Sequence, residues 1–201
     1  MRILQLCKKF PYPLKDGESI AVTGLSKALS GVGGEVTLLA MNTSKHFVEI
    51  SGVPKELEHY KEIHSVCVDN RIKAWDAFLN LFSTESYHVS RFISKTFESR
   101  LIHLLQEEDF DVVQLETLYL SPYIPVIRKY SNALIAMRAH NVEHEIWERV
   151  VQHTRFPLKK AYLNHLTKKL KQFEVQHLNE YDLLAAISRR DLDRFVEMGY
   201  A

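Results

Sequence analysis

Short apolar segments that favour β-strands alternate with amphipathic helical segments along this 201-residue chain, and this alternation constrains its fold most. The segment 35–40 is nearly all apolar after its first residue, which is typical of a strand covered on both faces of a parallel sheet. The alternation predicts an α/β domain with right-handed crossovers, a parallel sheet and helices on both faces. Strands are predicted at residues 3–6, 35–40, 64–69, 111–116, 134–138 and 183–187.

The predicted helices follow from apolar residues at helical spacing and from capping signals. One long amphipathic helix is predicted over residues 89–105 and another over residues 158–181. Ser121 and Pro122 predict a helix start, with the serine as N-cap and the proline at the first helical position. The segment 188–191 matches a capping box before the last helix.

The segment 75–87 has no regular pattern. It contains Trp75, Phe78, Leu79 and Phe82, which could form one apolar face. Two interpretations stay open for this segment: a packed lid over the sheet, or a loop that faces an acceptor molecule.

The composition excludes several classes of protein. The length fits one domain, and 46% hydrophobic and 25% charged residues are typical of a globular protein. No apolar run approaches the ~20 residues of a membrane span, and the N-terminus lacks a signal-peptide pattern, which predicts a cytoplasmic protein. A net charge of +1 argues against nucleic acid as the main partner. Cys7 and Cys67 lack metal-type spacing and are predicted to be buried, reduced thiols.

The loop after the first strand delivers a glycine to the start of the first helix. Gly17 removes side-chain bulk where a ligand could approach the first helical turn. Unpaired N–H groups and the helix dipole at such a turn favour phosphate, carboxylate or sugar oxygens. The alternative is an ordinary turn with a cap at Asp16 or Ser19. The loop lacks the glycine fingerprints of dinucleotide oxidoreductases and of P-loop proteins, which disfavours both classes.

Polar residues also follow the fourth and fifth predicted strands, at the edge where parallel sheets bind ligands. Glu116 could accept hydrogen bonds from sugar hydroxyls; the alternatives are a solvated loop carboxylate or a partner for a nearby arginine. Within the segment 138–145, His140 could exchange protons near neutral pH. The alternative is that His140 packs under a loop while Asn141 caps the next helix.

A metal site at His140 and His144 is disfavoured. The two histidines are four residues apart and would share one face of a helix. The zinc-protease motif, however, needs glutamate directly after the first histidine, and this chain has Asn141 there.

The predicted helix 158–181 combines an apolar side with several lysines. A solvated charged face is the usual explanation of such a pattern. The alternative is a surface that contacts anionic lipid at the inner face of the membrane. The lysines are Lys159, Lys160, Lys168, Lys169 and Lys171.

Four motifs occur in a specific order after the predicted strands. They are the loop Pro11-Tyr12-Pro13 with Asp16-Gly17, the strand 111–116, the segment 138–143 and the closing Ser188-x-x-Asp191. Together they resemble the N-terminal half of a GT-B-fold glycosyltransferase of the family 4 type (glycosyl transferase group 1), over essentially the whole chain. The resemblance implies a Rossmann-like, doubly wound parallel sheet that forms a single acceptor-side domain over residues 1–201.

The resemblance implies a retaining transferase that moves a sugar from a nucleotide-sugar donor to the hydroxyl of a glycan or lipid-linked acceptor. It implies no required metal or other cofactor, and a place in glycan or polysaccharide biosynthesis. The N-terminal half of such enzymes mainly binds the acceptor. The donor-binding C-terminal half has no counterpart before Ala201, so this polypeptide alone is predicted to be inactive.

The resemblance also assigns roles to residues. His140 would lie near the transferred sugar as the catalytic group. The loop that faces the donor phosphates and sugar would consist of Asp16, Gly17 and Glu18. The acceptor side would be lined by Glu116, Arg138, Asn141 and Glu143.

The sequence departs from the family pattern at two positions. Asp16-Gly17-Glu18 stands where paired glycines are usual, which weakens the prediction of close phosphate approach. Gly34 stands where a histidine is common.

Two other functions remain open. A stand-alone α/β module could bind sugars or nucleotides without catalysis. A flavodoxin-like or regulatory domain ranks last, since no acidic phosphorylation cluster or flavin-phosphate loop is found. The transferase hypothesis requires that Gly17, Glu116 and His140 lie along one edge of the sheet.

Overall fold

The structure is a computed structural model that describes residues 1–49, 52–72, 75, 80, 83 and 85–201. In this part, the strands are β1 (Arg2–Cys7), β2 (Glu35–Thr43), β3 (Glu62–Val68), β4 (Val112–Leu115), β5 (Leu134–Ala139) and β6 (Leu183–Ala186). They form one parallel sheet in the order β3-β2-β1-β4-β5-β6. This is the strand order of doubly wound Rossmann folds. The predicted fold class is confirmed.

Helices connect the strands. Those in the described part are α1 (Gly17–Gly31), α2 (Tyr87–Ser90), α3 (Lys95–Glu107), α4 (Ile124–Tyr130), α5 (Glu143–His153), α6 (Pro157–His177) and α7 (Arg189–Glu197). None of the described helices combines the length and the apolar character that crossing a membrane would need.

Both faces of the sheet are covered. Alternate residues of β1 point to opposite faces, as the pleat requires. Leu4 belongs to a buried cluster that contains Phe97 of α3 and Ile127 of α4. Ile3 belongs to a second cluster that contains Val22 of α1. Burial on both faces explains the nearly continuous apolar run in β2.

The single long helix predicted over residues 89–105 is wrong, because the chain breaks between α2 and α3. The Ser94 hydroxyl caps α3 by accepting from the Phe97 N–H at 3.3 Å. The Tyr123 hydroxyl donates to the Phe92 carbonyl at 2.8 Å and accepts from the Ser94 N–H at 2.8 Å. These bonds satisfy backbone groups that a continuous helix would pair internally, so tertiary contacts override the apolar periodicity.

The predicted helix start at Ser121 and Pro122 is also wrong. Both residues lie in the 3-10 helix Leu118–Tyr123, which precedes α4. The buried Ser121 hydroxyl lies 2.6 Å from the Tyr181 hydroxyl and forms a hydrogen bond with it, so it does not cap a helix. Pro125 instead takes one of the first two positions of α4.

Of two other helix boundaries, the first agrees with the prediction and the second does not. Ser188 is the N-cap of α7 and accepts from the Asp191 N–H at 3.1 Å, as the capping signal predicts. The helix α6 ends at His177. The predicted end at Tyr181 is therefore wrong; Tyr181 lies beyond the helix, and its side chain is buried against Ser121.

The lysine-rich face of α6 is solvated except at one position. Lys169 is buried, and its ammonium group donates to the carbonyls of Asn80 and Ser83. The prediction of a solvated face is therefore wrong for Lys169, which ties α6 to a distant segment. The exposed members are Lys159, Lys160, Lys168 and Lys171.

The two cysteines differ. Cys7 is buried, and burial raises the pKa of its thiol, as expected for a core cysteine. Cys67 is exposed, so the prediction of a buried thiol is wrong there. It lies on the edge strand β3, where Val66 and Val68 point to the core and Cys67 alternates to the other side.

Gly34 has a steric role between α1 and β2. A Cβ at this position would lie 2.9 Å from the Leu29 carbonyl oxygen, which also accepts from the Gly34 N–H at 2.9 Å. This tight turn leaves no room for a histidine. In the segment 75–87, Phe78, Leu79 and Phe82 lie outside the described residues, so the lid and loop interpretations both remain predictions.

Candidate functional site

The structure brings several predicted site residues to one edge of the sheet. β1, β4 and β5 are neighbours, and their carboxyl ends point the same way. Glu116 directly follows β4, His140 directly follows β5, and Gly17 opens the helix that follows β1. The strand order reverses between β1 and β4, where sheets of this type bind ligands. The roles of these residues remain predictions.

Glu116 organises a buried network of side chains, which we call the Glu116 cluster: Glu116, Gln5, Gln114, Arg138 and His140. Glu116 is only 1% exposed. The amides of Gln5 and Gln114 donate to its Oε1, the former at 2.6 Å. Arg138 donates to its Oε2 at 3.2 Å, and His140 Nε2 lies 3.1 Å from the same atom. The interpretation as an arginine partner is thus confirmed, and that of a solvated carboxylate is wrong.

The network extends to α1 and to the segment before β3. Arg138 also donates to the Ala21 carbonyl of α1 at 3.1 Å. The Tyr60 hydroxyl donates to Gln5 Oε1 at 2.8 Å. Burial raises the pKa of Tyr60, which keeps this hydroxyl protonated as a donor. Loops, sheet and the first helix are therefore held by one set of hydrogen bonds.

The contact with Glu116 orients the His140 ring. A carboxylate only accepts hydrogen bonds, so we assign the ring hydrogen in this contact to Nε2. When the ring is neutral, Nδ1 is then an acceptor. The side chain of His140 is 12% exposed. Glu116 holds the ring from its buried side, and the ring reaches the protein surface at the carboxyl edge of the sheet. A carboxylate that fixes an imidazole in this way prepares it for hydrogen bonding or proton exchange.

Glu143 begins α5 close to the end of β1. The Tyr119 hydroxyl donates to its carboxylate at 3.0 Å, and the Lys8 ammonium lies 4.9 Å from the centre of the Tyr119 ring. Burial raises the pKa of Glu143, although the charge of Lys8 and the Tyr119 hydrogen bond oppose the shift. A carboxyl group of this kind can hold a proton at a higher pH than an exposed one.

The N-terminus of α5 is capped by Glu174 of α6. Its carboxylate accepts from the N–H groups of Glu143 at 2.9 Å and His144 at 3.2 Å, and lies 2.6 Å from His144 Nδ1. The interpretation that Asn141 caps this helix is therefore wrong. His144 is fully buried in this contact. Among the described residues, no group of three or more histidine, cysteine or acidic side chains is placed to hold a metal ion.

A small cavity lies beside His140 and is also lined by Thr117, Asn141 and Glu143. Its volume is about 10 Å³. This volume suits one water molecule at most, so a sugar ring does not fit into it. A sugar near His140 would have to bind on the open side of the edge.

The first turn of α1 carries its own carboxylates. Asp16 accepts from the Ser19 N–H at 3.0 Å and from the Lys9 ammonium at 2.7 Å. Burial alone would raise the pKa of Asp16, but Lys9 and the Ser19 N–H outweigh burial and lower it. The cap at Asp16 is thus confirmed. A Cβ on Gly17 would meet nothing within 4 Å, so the protein itself does not demand glycine there.

A second, larger opening lies at the ends of β1, β2 and β3 and has a volume of about 240 Å³. We call it the basic pocket; the lining residues that matter below are Lys8, Lys9, Thr43, Lys45, Asn70 and Arg91. The sequence analysis identified none of these six as site residues. Thr43, Lys45 and Asn70 lie at or just after strand ends, so the rule that led to Glu116 could have found them. Arg91 was hidden in the wrongly predicted continuous helix.

The sequence matches no family model and no curated protein. Solved structures are similar in fold. A lipopolysaccharide outer core galactosyltransferase, WaaB in its apo form, matches 100% of this chain with a TM-score of 0.51 and 12% identity. Sucrose-phosphate synthase from Thermosynechococcus elongatus matches 100% with a TM-score of 0.52 and 12% identity. UGT2 of Phytolacca americana, complexed with UDP-2fluoro-glucose and pterostilbene, matches 96% with a TM-score of 0.50 and 8% identity.

This chain covers 43%, 46% and 49% of those three chains, so it spans less than half of their length. At such identities the likeness shows the fold alone. The fold defines a Rossmann-like α/β domain of the kind that these larger proteins also contain. Membership in family 4 stays a prediction.

Proposed function

We propose that this chain is the N-terminal, acceptor-side domain of a retaining glycosyltransferase, which transfers a sugar from a nucleotide-sugar donor to a hydroxyl group. One observation supports the proposal most: the whole chain is similar to less than half of a galactosyltransferase and of sucrose-phosphate synthase. The polar clusters of the chain lie at the carboxyl edge of that domain. In the proposal, a second domain faces this edge and holds the nucleotide.

His140 is the catalytic group in this proposal, and Glu116 is a positioning residue. The buried carboxylate holds the ring and its Nε2 hydrogen, which leaves Nδ1 to accept a hydrogen bond from a sugar hydroxyl. Arg138 supports Glu116 and, with its side chain 16% exposed, also lines the acceptor side. Catalysis then rests on proximity and on electrostatic stabilisation of an oxocarbenium-like state, without a required metal.

Asn141 and Glu143 complete the acceptor side. The raised pKa of Glu143 suits it to hydrogen-bond an acceptor hydroxyl either as donor or as acceptor. Asp16, Gly17 and Glu18 face the donor. Because Asp16 already caps α1, close approach of a phosphate or sugar would occur at Gly17, where no atom lies within 4 Å of the Cβ position.

The finer parts of the proposal concern the class of reaction and the location of the protein in the cell. The transferred group is a hexose, and the acceptor is a glycan or a lipid-linked hydroxyl in glycan or polysaccharide biosynthesis. The protein works in the cytoplasm. The exposed lysines of α6 contact anionic lipid at the inner face of the membrane.

Calorimetric titration of the 201-residue chain with UDP, ADP, GDP and a panel of sugars tests the proposal. We expect no measurable nucleotide binding and no turnover of nucleotide sugars, because the donor-binding half is not part of this fold. We expect weak sugar binding that His140→Ala abolishes. The matched control is His103→Ala, which removes an exposed histidine of α3. Sugar binding that both variants retain would contradict the assigned site.

The stand-alone binding module is the alternative. The basic pocket supports it, since Lys45 and Arg91 could bind the phosphates of a nucleotide without a second domain. Tight binding of a nucleotide to the isolated chain would favour this module. Turnover by the isolated chain would overturn the prediction that it is inactive.

A further inference from the structure

The basic pocket contains cations that the protein neutralises to different degrees. Lys8 and Lys9 lie 3.5 Å and 3.6 Å from the Glu18 carboxylate, so their charges are paired. Within the described part of the chain, Lys45 and Arg91 form no ion pair. The pocket therefore presents net positive charge to any ligand that enters it.

Buried polar atoms in the same pocket have no protein partner among the described residues. They are Thr43 Oγ1, Asn70 Oδ1 and Arg91 Nε. Thr43 is 1% exposed and Asn70 is 8% exposed. The three residues come from the end of β2, the loop after β3 and the segment after α2, so no single local distortion accounts for them. Buried polar groups in proteins are nearly always hydrogen-bonded, which indicates a ligand that supplies the partners.

The chemical types of these atoms define the ligand. The Thr43 hydroxyl and the Arg91 Nε–H are donors and require oxygen acceptors, which a phosphate provides. Asn70 Oδ1 is an acceptor and requires a hydroxyl close to that phosphate. The volume of about 240 Å³ lies below the range of drug-sized sites and suits a group the size of a monosaccharide.

Arg91 is held in a suitable position for this ligand. Its guanidinium group lies 5.8 Å from the centre of the Phe92 ring, and its Nη1 donates to the Asn70 carbonyl at 3.4 Å. These contacts orient the group, and its Nε has no hydrogen-bond partner among the residues that the structure describes. A planar fork of donors held in this way binds phosphate with defined geometry.

We propose that the basic pocket binds a phosphorylated sugar or polyol. Arg91 and Lys45 bind the phosphate, the Thr43 hydroxyl donates to it, and Asn70 accepts from an adjacent hydroxyl. That this ligand is the acceptor of the transferred sugar rests on the proposed function. Phosphate binding by the pocket does not.

Titration calorimetry of the 201-residue chain at low salt tests the pocket with defined probes. We expect glucose 1-phosphate to bind at least about tenfold more tightly than glucose, with affinity that falls as salt rises. Dioctanoyl phosphatidylinositol, used below its critical micelle concentration, distinguishes the source of the phosphate. Tighter binding than glucose 1-phosphate indicates a lipid-linked polyol, and weaker binding indicates a soluble sugar phosphate.

Variants connect the binding to the named side chains. We expect Arg91→Gln to weaken glucose 1-phosphate binding about tenfold and Thr43→Val about fivefold, with partial recovery in Arg91→Lys. Lys45→Gln changes an exposed side chain and keeps the test valid if Arg91→Gln does not fold. Lys129→Gln removes the same charge from an exposed position in the last turn of α4 and should leave binding unchanged.

Equal affinity for glucose and glucose 1-phosphate, or unchanged affinity in both Arg91→Gln and Lys45→Gln, would overturn the inference. Neither result bears on the acceptor-side domain, which the nucleotide titration tests. If UDP displaced glucose 1-phosphate from the pocket, the phosphate site would stand and the acceptor-side assignment would be contradicted.

Discussion

The Glu116 cluster and the basic pocket lie on the same edge of the sheet but differ in how their polar groups are satisfied. In the cluster, one buried carboxylate receives hydrogen bonds from four side chains, and the adjacent cavity has a volume of only about 10 Å³. In the pocket, buried donors and an acceptor have no partner among the described residues, and the volume is about 240 Å³. The Glu116 cluster is typical of side chains that hold a neighbouring residue in position. The basic pocket is typical of a ligand-binding site.

The position of each region in the sheet explains this difference. The Glu116 cluster lies on the central strands β1, β4 and β5, where neighbours on both sides supply partners. The basic pocket extends to β3, the edge strand, whose following loop faces the pocket from one side only. The central strands therefore favour complete hydrogen bonding of the polar side chains in the Glu116 cluster. The edge strand leaves open space in the basic pocket.

The largest expected difference between the two regions is in stability. Glu116→Ala removes the acceptor of the buried Gln5 and Gln114 amides and the ion-pair partner of Arg138, so we expect the free energy of unfolding to fall by about 3 kcal/mol. Arg91→Gln changes a side chain without an ion pair in the described part, and we expect a loss of about 1 kcal/mol or less. Urea unfolding of both variants measures the difference. Similar losses in the two would contradict the division into a saturated and an unsaturated region.

A second test uses pH and concerns His88 in α2, next to the basic pocket. His88 is buried against Trp147, with ring centres 3.8 Å apart, and burial together with the Arg91 charge lowers its pKa from 6.5 to about 4. The unfolded chain takes up the proton first as the pH falls, so stability is lost between pH 6.5 and about 4.

We expect His88 to remove about 2 kcal/mol of unfolding free energy between pH 7.5 and pH 5. Glu143 has the opposite sign, because its raised pKa makes stability fall as the pH rises just above 4.5. The difference between wild type and His88→Phe, measured by urea unfolding at both pH values, isolates His88. A pH dependence that His88→Phe leaves unchanged would assign the acid sensitivity to another group.

A matched pair of hydroxyl deletions compares a paired and an unpaired buried hydroxyl. Ser121→Ala removes the hydrogen bond with Tyr181, and we expect a loss of about 1 kcal/mol. Thr43→Val keeps the side-chain shape and removes a hydroxyl without a partner in the described part, so stability should stay unchanged or rise. Thermal unfolding of the two variants gives the comparison. An equal loss in Thr43→Val would show that its hydroxyl is satisfied within the protein.

The smallest expected effect is at Gly17. The Cβ of Gly17→Ala would enter open space at the first position of α1, and alanine favours a helix, so we expect a gain of roughly 0.5 kcal/mol in unfolding free energy. A loss of stability, measured by urea unfolding, would contradict the open geometry. A stable Gly17→Ala chain then serves to test whether a donor approaches this position.

The fold could be predicted because strand signals are local. The apolar runs and the cap at Ser188 each act within a few residues, and all six strands were found from the apolar runs. The predictions failed where side chains that are distant in the sequence determine where a helix begins or ends. The Tyr123 hydroxyl breaks the helix predicted over residues 89–105, and Glu174 caps α5 from another helix.

The candidate site could be predicted in outline for the same reason. Glu116 and His140 were found because each directly follows a strand. Glu116 can be buried because the amides of Gln5 and Gln114 donate hydrogen bonds to it. The residue types alone do not reveal these contacts. The exposure of Cys67 depends on β3 being the edge strand, which requires the strand order.

The guanidinium of Arg138 has a mechanical consequence. It is bonded at the same time to the Ala21 carbonyl in α1 and to Glu116, which in turn holds His140. A displacement of α1 therefore acts on the carboxylate that orients the imidazole, while the amides of Gln5 and Gln114 hold the same carboxylate to the sheet. The first helix and the sheet thus both determine the direction in which the ring faces.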